Sequence, residues 1–252
     1  MVVVGKHVMR PILPLLAVAA LALPACAYNP ELGRDQIAIV DDSSLEKAGE
    51  QAWSQALATS KVSSDRAANA RVRAVGQRVV DAAGLGGRPW DYAVFEGDAP
   101  NAFVLPGGHV GVTSGMLRIV DNDDQLAAVI GHEAGHVVAH HAAERQSQTL
   151  ASNLVLGVLG AATGSPDATR ALGGAGAKYG FLLPFSRKQE LEADRLGVDF
   201  MQRAGYRPRE AVVLWLHMQA QGASNTPQFA STHPSDASRI AALQAYIVQR
   251  GW

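Results

Sequence analysis

The sequence has 252 residues, of which 48% are hydrophobic and 18% are charged, and its formal net charge is -1. This composition fits one folded domain with a leader and excludes a disordered chain, and the lack of a basic excess excludes the footprint of a nucleic-acid-binding protein. The single cysteine, Cys26, excludes an internal disulfide framework and a metal site built from several cysteines. Any metal must therefore be held by histidine and carboxylate side chains.

Residues 1–26 have the features of an export signal. A positively charged start precedes an apolar run that is shorter than the roughly 20 residues of a membrane-spanning helix. The run ends at Cys26, as in a bacterial lipobox, so we expect this cysteine to be lipidated and residues 27–41 to form a tether. The alternative is an ordinary secretory signal that is cleaved near Ala25 or Ala27. An unpaired cysteine in an exported protein favours the lipoprotein.

Residues 42–252 predict a single α+β domain, mostly helical, with a small antiparallel sheet. Apolar residues at helical spacing and capping signals, such as Ser43 with Glu46, indicate the helices. Alternating apolar residues and a Pro-Gly-Gly turn indicate the strands. Residues 173–180 are typical of a loop. The predicted helices cover residues 43–59, 64–83, 124–145, 150–162, 186–204, 208–220 and 235–250, and the predicted strands cover 90–95, 102–105 and 109–113.

The predicted helix 124–145 carries the motif H-E-x-x-H, with His132, Glu133 and His136 in the fixed positions. Residues at i and i+4 share a helix face, so both imidazoles can reach one metal ion. Glu133 lies beside the same metal and is placed to take a proton from a bound water. The apolar flanks of the motif favour this zincin arrangement over a surface helix with two incidental histidines.

A catalytic zinc site uses three protein ligands and keeps one position open, so a third ligand is required. The longer motif that ends in a third histidine is excluded because Ala139 and Ala142 occupy two of its required positions. His140 and His141 do not substitute, because a metal held by the first two histidines cannot also lie beside them. We expect both to be solvated or hydrogen-bonded helix residues.

The third ligand is predicted on a later helix. Glu190 and Asp194 are four residues apart and share a face, whereas Glu192 points largely away from it. We therefore predict that Glu190 is the third ligand of one zinc ion per chain. Asp194 is predicted to accept an N–H from a ligand histidine and so to fix its orientation.

The H-E-x-x-H motif, followed by Ser-Arg-x-x-Glu-x-Glu-Ala-Asp at residues 186–194, resembles the gluzincin family of HtpX and the type-1 CAAX prenyl proteases. Residues 101–108, residues 232–235 with Arg239, and residues 29–34 resemble further stretches of that family. The chain differs from the integral membrane members, which have a set of transmembrane helices, and from members with a helical repeat array. It is therefore similar to the short, soluble-domain members.

The resemblance implies further roles. Asn101, Ala102 and Phe103 would lie on an edge strand that binds an extended peptide through its backbone. His233 would lie in a loop over the metal, where it either occupies the open coordination position or donates to the oxyanion; the alternative is a loop histidine that caps the last helix. Arg239 could instead be the oxyanion partner; the alternative is a structural residue in a surface salt bridge.

The function implied is that of a zinc metalloendopeptidase acting on misfolded or unassembled cell-envelope proteins. Bacterial family members include exported lipoproteins of outer-membrane quality control, and Ala27 after the cysteine lacks the aspartate that retains lipoproteins in the inner membrane, so we expect a lipid anchor in the outer membrane facing the periplasm. The alternative is a latent or chaperone-like protein that holds unfolded envelope proteins. No nucleic-acid partner is expected.

Overall fold

The computed structural model describes residues 26–163, 185–221, 233 and 237–252. The predicted signal up to residue 25 and the predicted loop 173–180 lie outside the described residues. The described part is α+β and mostly helical, which confirms the predicted fold class. In chain order its elements are β1 (Cys26–Asn29), β2 (Arg34–Ile37), α1 (Asp42–Thr59), α2 (Arg66–Ala82), β3 (Asp91–Phe95), β4 (Ala102–Leu105), β5 (His109–Thr113), α3 (Ser114–Ile119), α4 (Asp123–Val138), α5 (His141–Thr163), α6 (Arg187–Arg203), α7 (Arg209–Gln221) and α8 (Ala237–Gln249).

The sheet of β3, β4 and β5 is mixed, so the prediction of a wholly antiparallel sheet is wrong. The expected hairpin forms, with β4 antiparallel to β5 and Ala102 paired with Val112. Strand β3, however, pairs in parallel with β5, so that Val94 also faces Val112. The reason is the strand order β3-β5-β4: the chain passes from β3 to the far side of the sheet before the hairpin brings β5 back into the centre.

The predicted helix 124–145 is two helices. It ends at the cap Ala139, and His140 adopts a left-handed conformation with φ of 51°. Such a φ is uncommon for a residue with a side chain, and no glycine or proline marks the break in the sequence. The chain therefore turns at His140, and His141 begins α5 in a new direction. Helix α1 also differs in detail, because Asp41 rather than Ser43 accepts the capping hydrogen bond, from the Ser44 N–H.

Strands β1 and β2 form a second, antiparallel hairpin, with Cys26 paired to Ile37. The segment 27–41, expected to be a tether, thus contains ordered strands that pack on the domain. The backbone N–H groups of Ile39 and Val40 both donate to Ser147 Oγ on α5. Cys26 itself is exposed at the start of this N-terminal hairpin.

Helices α4 and α6 pack with their backbones in close approach, because the residues between them are small. A Cβ at Gly197 would lie 2.9 Å from the backbone nitrogen of His132, and a Cβ at Gly135 would lie 2.8 Å from the carbonyl oxygen of Ala193. This contact sets the two predicted ligand-bearing segments side by side in the core. None of the helices in the described part of the chain is long and apolar enough to cross a membrane.

Candidate metal centre

Four buried side chains bring donor atoms together: His132, His136, Glu190 and His233. Nε2 of His132 lies 3.2 Å from Nε2 of His136 and 3.2 Å from Nδ1 of His233. Oε1 of Glu190 lies 3.1 Å from His233 Nδ1 and 3.5 Å from His136 Nε2. The three residues predicted as ligands are thus in one cluster, and His233 completes it.

The separations within this cluster fit a tetrahedral zinc ion. With zinc–ligand bonds of about 2.0–2.1 Å, the donor atoms of a tetrahedron lie roughly 3.3–3.4 Å apart. Four of the six separations between the donors, at 3.1, 3.2, 3.2 and 3.5 Å, bracket that value, and all four donors lie within 4.8 Å of one another. Imidazole nitrogen and carboxylate oxygen are also donor types that zinc accepts. The residues present therefore fit the group that the sequence predicted.

Local sequence places these ligands. On α4, His132 and His136 are one helical turn apart and face the same way. Helix α6 begins with a capping box, in which Ser186 accepts from the Gln189 N–H while the Gln189 side chain accepts from the Ser186 N–H. Glu190 lies in the first turn of this helix, so the cap fixes the point from which its carboxylate reaches the histidines.

Asp194 and Arg239 support His132 on the side away from the cluster. Asp194 Oδ1 lies 2.9 Å from His132 Nδ1, and the Arg239 guanidinium donates to both oxygens of Asp194 over 2.5 and 2.8 Å. Burial acts to raise the pKa of Asp194, but the charges and hydrogen bonds of Arg239 and His132 together outweigh it and hold that pKa below its ordinary value. An ionised Asp194 accepts Nδ1–H of His132 and so directs the Nε2 lone pair of that ring to the cluster.

Arg239 is fully engaged inside the protein. Its Nη1 lies 2.6 Å from Glu190 Oε2, and its guanidinium carbon lies 4.1 Å from the centre of the Trp215 ring. Only 2% of Arg239 is exposed to solvent. These contacts favour a structural ion pair over the oxyanion partner, but the pair is buried and not at the surface, where the sequence alternative placed it.

The ring of His136 has support of its own. Its Nδ1 lies 2.9 Å from Nδ1 of His141, whose Nε2 lies 3.0 Å from Glu192 Oε2. Glu192 in turn accepts two hydrogen bonds of 2.7 Å from Arg34 on β2. Burial lowers the pKa of His141, with Glu192 acting in the opposite direction. Phe185 stacks on the His136 ring at a centroid distance of 3.9 Å.

Glu133 lies beside the four donors and is itself buried. Its Oε1 is 3.3 Å from His233 Nε2 and accepts no hydrogen bond from the residues that the structure describes. Burial, which disfavours the charged form, raises the pKa of this carboxyl. A carboxylate with an available oxygen and a raised pKa has the properties of a general base that must take up a proton.

A cavity of about 730 Å³ opens beside Glu133, His136 and His233. Residues Asn101 to Leu105 line the same cavity, and β4 is one of the two edge strands, with β3, among the described strands of its sheet. The side chain of Phe103 packs against Trp53 and Phe95, and Ala102 is buried. What this segment presents along the cavity is therefore mainly its backbone.

Residues 66–247 match the model of Peptidase family M48. The chain belongs to this family. That result confirms the metallopeptidase relationship expected from the sequence, and the matched residues include all four donors of the cluster together with Glu133. Arg34 and the N-terminal hairpin lie before the matched residues.

Among similar M48 proteins are two kinds of named peptidase. The chain is 38% identical to the mitochondrial metalloendopeptidase OMA1 of Schizosaccharomyces pombe over 173 residues, which is 68% of this chain and 50% of that protein. It is 35% identical to the beta-barrel assembly-enhancing protease of Escherichia coli K12 over 181 residues, 68% of this chain and 37% of that protein. It is 32% identical to the Yersinia pestis protein of the same name over 229 residues, which is 86% of this chain and 47% of that protein. The chain therefore spans about half the length of these relatives or less.

Sequence reasoning missed the groups that support His136 in this M48 centre. On an unbroken helix, a residue five positions after His136 would be rotated by roughly 140° from it, so His141 was not expected to touch it. The left-handed turn at His140 changes the direction of the chain, and so it allows His141 to reach His136. Glu192 does point away from the cluster, as predicted, but it points toward His141. The charged pair of Glu192 and Arg34 could be found only by knowing where the N-terminal hairpin packs.

Proposed function

We propose that the protein is a zinc metalloendopeptidase that cleaves misfolded or unassembled proteins of the bacterial cell envelope. The observation that carries this proposal is the buried cluster of His132, His136 and Glu190 with Glu133 beside it, at the end of a cavity bordered by an edge strand. Membership of family M48 supports the reaction type.

The residues of the chain divide the reaction between them. A bound zinc ion would supply a lowered pKa for its water and would polarise the peptide carbonyl. Glu133 takes up a proton at Oε1 and delivers it to the leaving amine, and its raised pKa suits both steps. Asp194 holds the proton of His132 on Nδ1 throughout, which keeps that ring oriented.

The backbone of β4 is proposed to hold the substrate. An extended peptide can add to an edge strand through main-chain hydrogen bonds, which depend little on sequence. Unfolded chains offer such segments and folded proteins do not. The name of the Escherichia coli relative, a beta-barrel assembly-enhancing protease, supports an envelope protein as the client. We include in the proposal a lipid anchor at Cys26 and an outer-membrane location facing the periplasm.

A latent or chaperone-like state is a second candidate, and one observation favours it. His233 Nδ1 lies 3.2 Å from His132 Nε2 and 3.1 Å from Glu190 Oε1, so it is placed to be a fourth ligand. Zinc sites with four protein ligands are closed and typically structural, whereas catalytic sites keep one position open. Peptide cleavage would then require His233 to leave the cluster.

The first test compares the wild-type protein with Glu133→Gln. We expect both to hold one zinc ion, and only the wild type to cleave an unfolded protein such as β-casein, because the amide cannot take up the proton. Zinc content is measured by atomic absorption and cleavage by mass spectrometry. Normal cleavage by Glu133→Gln would remove Glu133 from its proposed role. Zinc in both with cleavage in neither would favour the latent state.

A further inference from the structure

We propose that Arg34, Glu192 and His141 form a positioning relay that holds the ligand His136, so that zinc affinity depends on how the N-terminal hairpin is docked. The inference rests on the proposed zinc site and concerns residues outside the ligand set. Its basis is an unbroken series of short contacts from β2 on the surface to His136 in the core.

The direction of the relay follows from hydrogen-bond chemistry. A carboxylate only accepts, so Glu192 requires that His141 carry its proton on Nε2. Nδ1 of the neutral His141 ring is then an acceptor, and its partner over 2.9 Å is Nδ1 of His136, which must therefore carry the proton. With its proton on Nδ1, His136 has its lone pair on Nε2, the atom that faces the other donors. Glu192 thus selects the tautomer of His136 through His141.

Burial makes this selection strict. His141 has no exposed surface, so solvent cannot replace Glu192 as the partner of its Nε2. Without an acceptor at that position His141 is free to place its proton on Nδ1, where it would point at Nδ1 of His136. One of the two rings would then have to rotate or change tautomer, which would turn the His136 lone pair away from the metal. The relay therefore acts through His136 and does not touch substrate.

Arg34 fixes the carboxylate end of the relay. Its Nε and Nη2 donate to the two oxygens of Glu192 in a bidentate pair, and its Nη1 and Nη2 also donate to Glu144 on α5. Only 17% of the Arg34 side chain and 12% of the Glu192 side chain are exposed. Bidentate pairing holds a carboxylate in one plane, so Glu192 presents the same oxygen to His141. The hairpin contributes this part of the site from outside residues 66–247, which carry the family match.

The test measures the zinc dissociation constant of the full chain by competition with a chelator. Loss of a group that orients a metal ligand typically weakens metal binding by about 10- to 100-fold, and we expect this for His141→Phe. His141→Gln should recover part of the loss, because its amide oxygen can accept from His136. Arg34→Met acts from one step further away and should weaken binding by roughly three- to tenfold, with Arg34→Lys intermediate.

The matched control is Arg195→Gln. Arg195 also joins α6 to the N-terminal hairpin, by a hydrogen bond of 3.3 Å to the Glu31 carbonyl, but it has no contact with the relay. Its dissociation constant should stay within about twofold of the wild type. Melting temperatures with and without zinc are measured alongside: a purely structural role of Arg34 would lower both equally and leave the dissociation constant unchanged.

Wild-type zinc affinity in folded His141→Phe and Arg34→Met would overturn the relay while leaving the proposed function intact. If His141→Phe does not fold, the zinc affinities of Arg34→Met and Glu192→Ala test the relay instead, because these two side chains are partly exposed. A wild-type chain that takes up no zinc would overturn the proposed function, and the relay with it.

Discussion

His233 is the residue whose position has the largest consequence for the chemistry. One ring nitrogen lies among the metal donors, 3.2 Å from His132 Nε2, and the other lies 3.3 Å from Oε1 of Glu133. In this position the ring would supply the fourth ligand to a bound metal, and it also fills the space next to the proposed base. The geometry corresponds to the first of the two roles that the resemblance implied for His233.

We predict that His233→Ala increases peptidase activity. Removal of the ring leaves three protein ligands and an open position, as catalytic zinc sites require. If the closed state is favoured by about 1.4 kcal/mol, its removal raises the rate by about tenfold. The measurement is the initial rate of β-casein cleavage at equal zinc content.

His217→Ala is the control for this variant, because His217 lies on α7 with a half-exposed side chain near Asp121. Its rate should equal that of the wild type. A loss of activity in His233→Ala at full zinc occupancy would contradict the prediction and would instead favour a direct catalytic role, such as donation to the oxyanion.

At the scale of elements, the decisive contact is that between α4 and α6. The backbones approach closely at Gly131, Gly135 and Gly197, so the relative position of the ligand-bearing segments is set by main-chain contact. Such a contact tolerates little added side-chain volume, because protein interiors are close-packed and the backbone cannot rotate out of the way as a side chain can.

We predict that Gly197→Ala destabilises the protein and weakens zinc binding. In a helix this change would by itself stabilise by about 1 kcal/mol. The added Cβ would, however, lie 2.9 Å from the His132 nitrogen and 3.1 Å from its Cα, and overpacking of this kind costs about 1–3 kcal/mol. We expect the clash to prevail and to move Glu190 away from the histidines. Urea unfolding and chelator competition measure the two effects.

Gly87→Ala serves as the control, since a Cβ at Gly87 would meet nothing within 4 Å. Its unfolding midpoint and zinc affinity should match those of the wild type. Wild-type stability and affinity in Gly197→Ala would show that α4 and α6 can separate without disturbing the cluster.

Sequence reasoning succeeded where one pattern determines one element. The i, i+4 spacing placed His132 beside His136, and the Pro-Gly-Gly turn placed β4 beside β5. It failed where a nonlocal contact decides the outcome. The parallel pairing of β3 depends on which side of the sheet the chain returns to, and the left-handed break at His140 is marked by neither a glycine nor a proline.

At the scale of the whole molecule, Arg34 joins three separate parts of the chain. It links the N-terminal hairpin to Glu144 on α5 and to Glu192 on α6. Burial acts to raise the pKa of Glu192, but the hydrogen bonds from Arg34 and His141 outweigh it and hold that pKa at about 2. The pKa of Glu144 is also lowered, because the hydrogen bonds from Arg34, Gln189 and Gln36 together with the charge of Arg34 outweigh burial.

These lowered pKa values predict a loss of stability in acid. The folded pKa of Glu192 is below its ordinary value of 4.5, so the stabilisation is complete above about pH 4.5 and is lost as the pH falls toward about 2. We expect the free energy of unfolding of the zinc-free protein to fall across this window, and to fall less steeply in Arg34→Met. Urea unfolding between pH 7 and pH 2.5 measures both.

The comparison variant is Lys61→Met, which removes a solvent-exposed ion pair with Glu96. Exposed pairs contribute little to stability, so its acid profile should follow that of the wild type. Parallel profiles for Arg34→Met and the wild type would show that the buried carboxylates do not depend on Arg34.

If Cys26 carries the proposed lipid, the docked hairpin would also limit how far the domain can extend from a bilayer. A flexible tether of residues 27–41 would have spanned on the order of 50 Å when extended, enough for the cavity to sample much of the surrounding space. Because Cys26 is instead the first residue of β1, a lipid on its side chain would leave the domain no slack. Such an enzyme would stay close to the membrane surface. It would encounter unfolded chains that remain at that surface before chains that have diffused away.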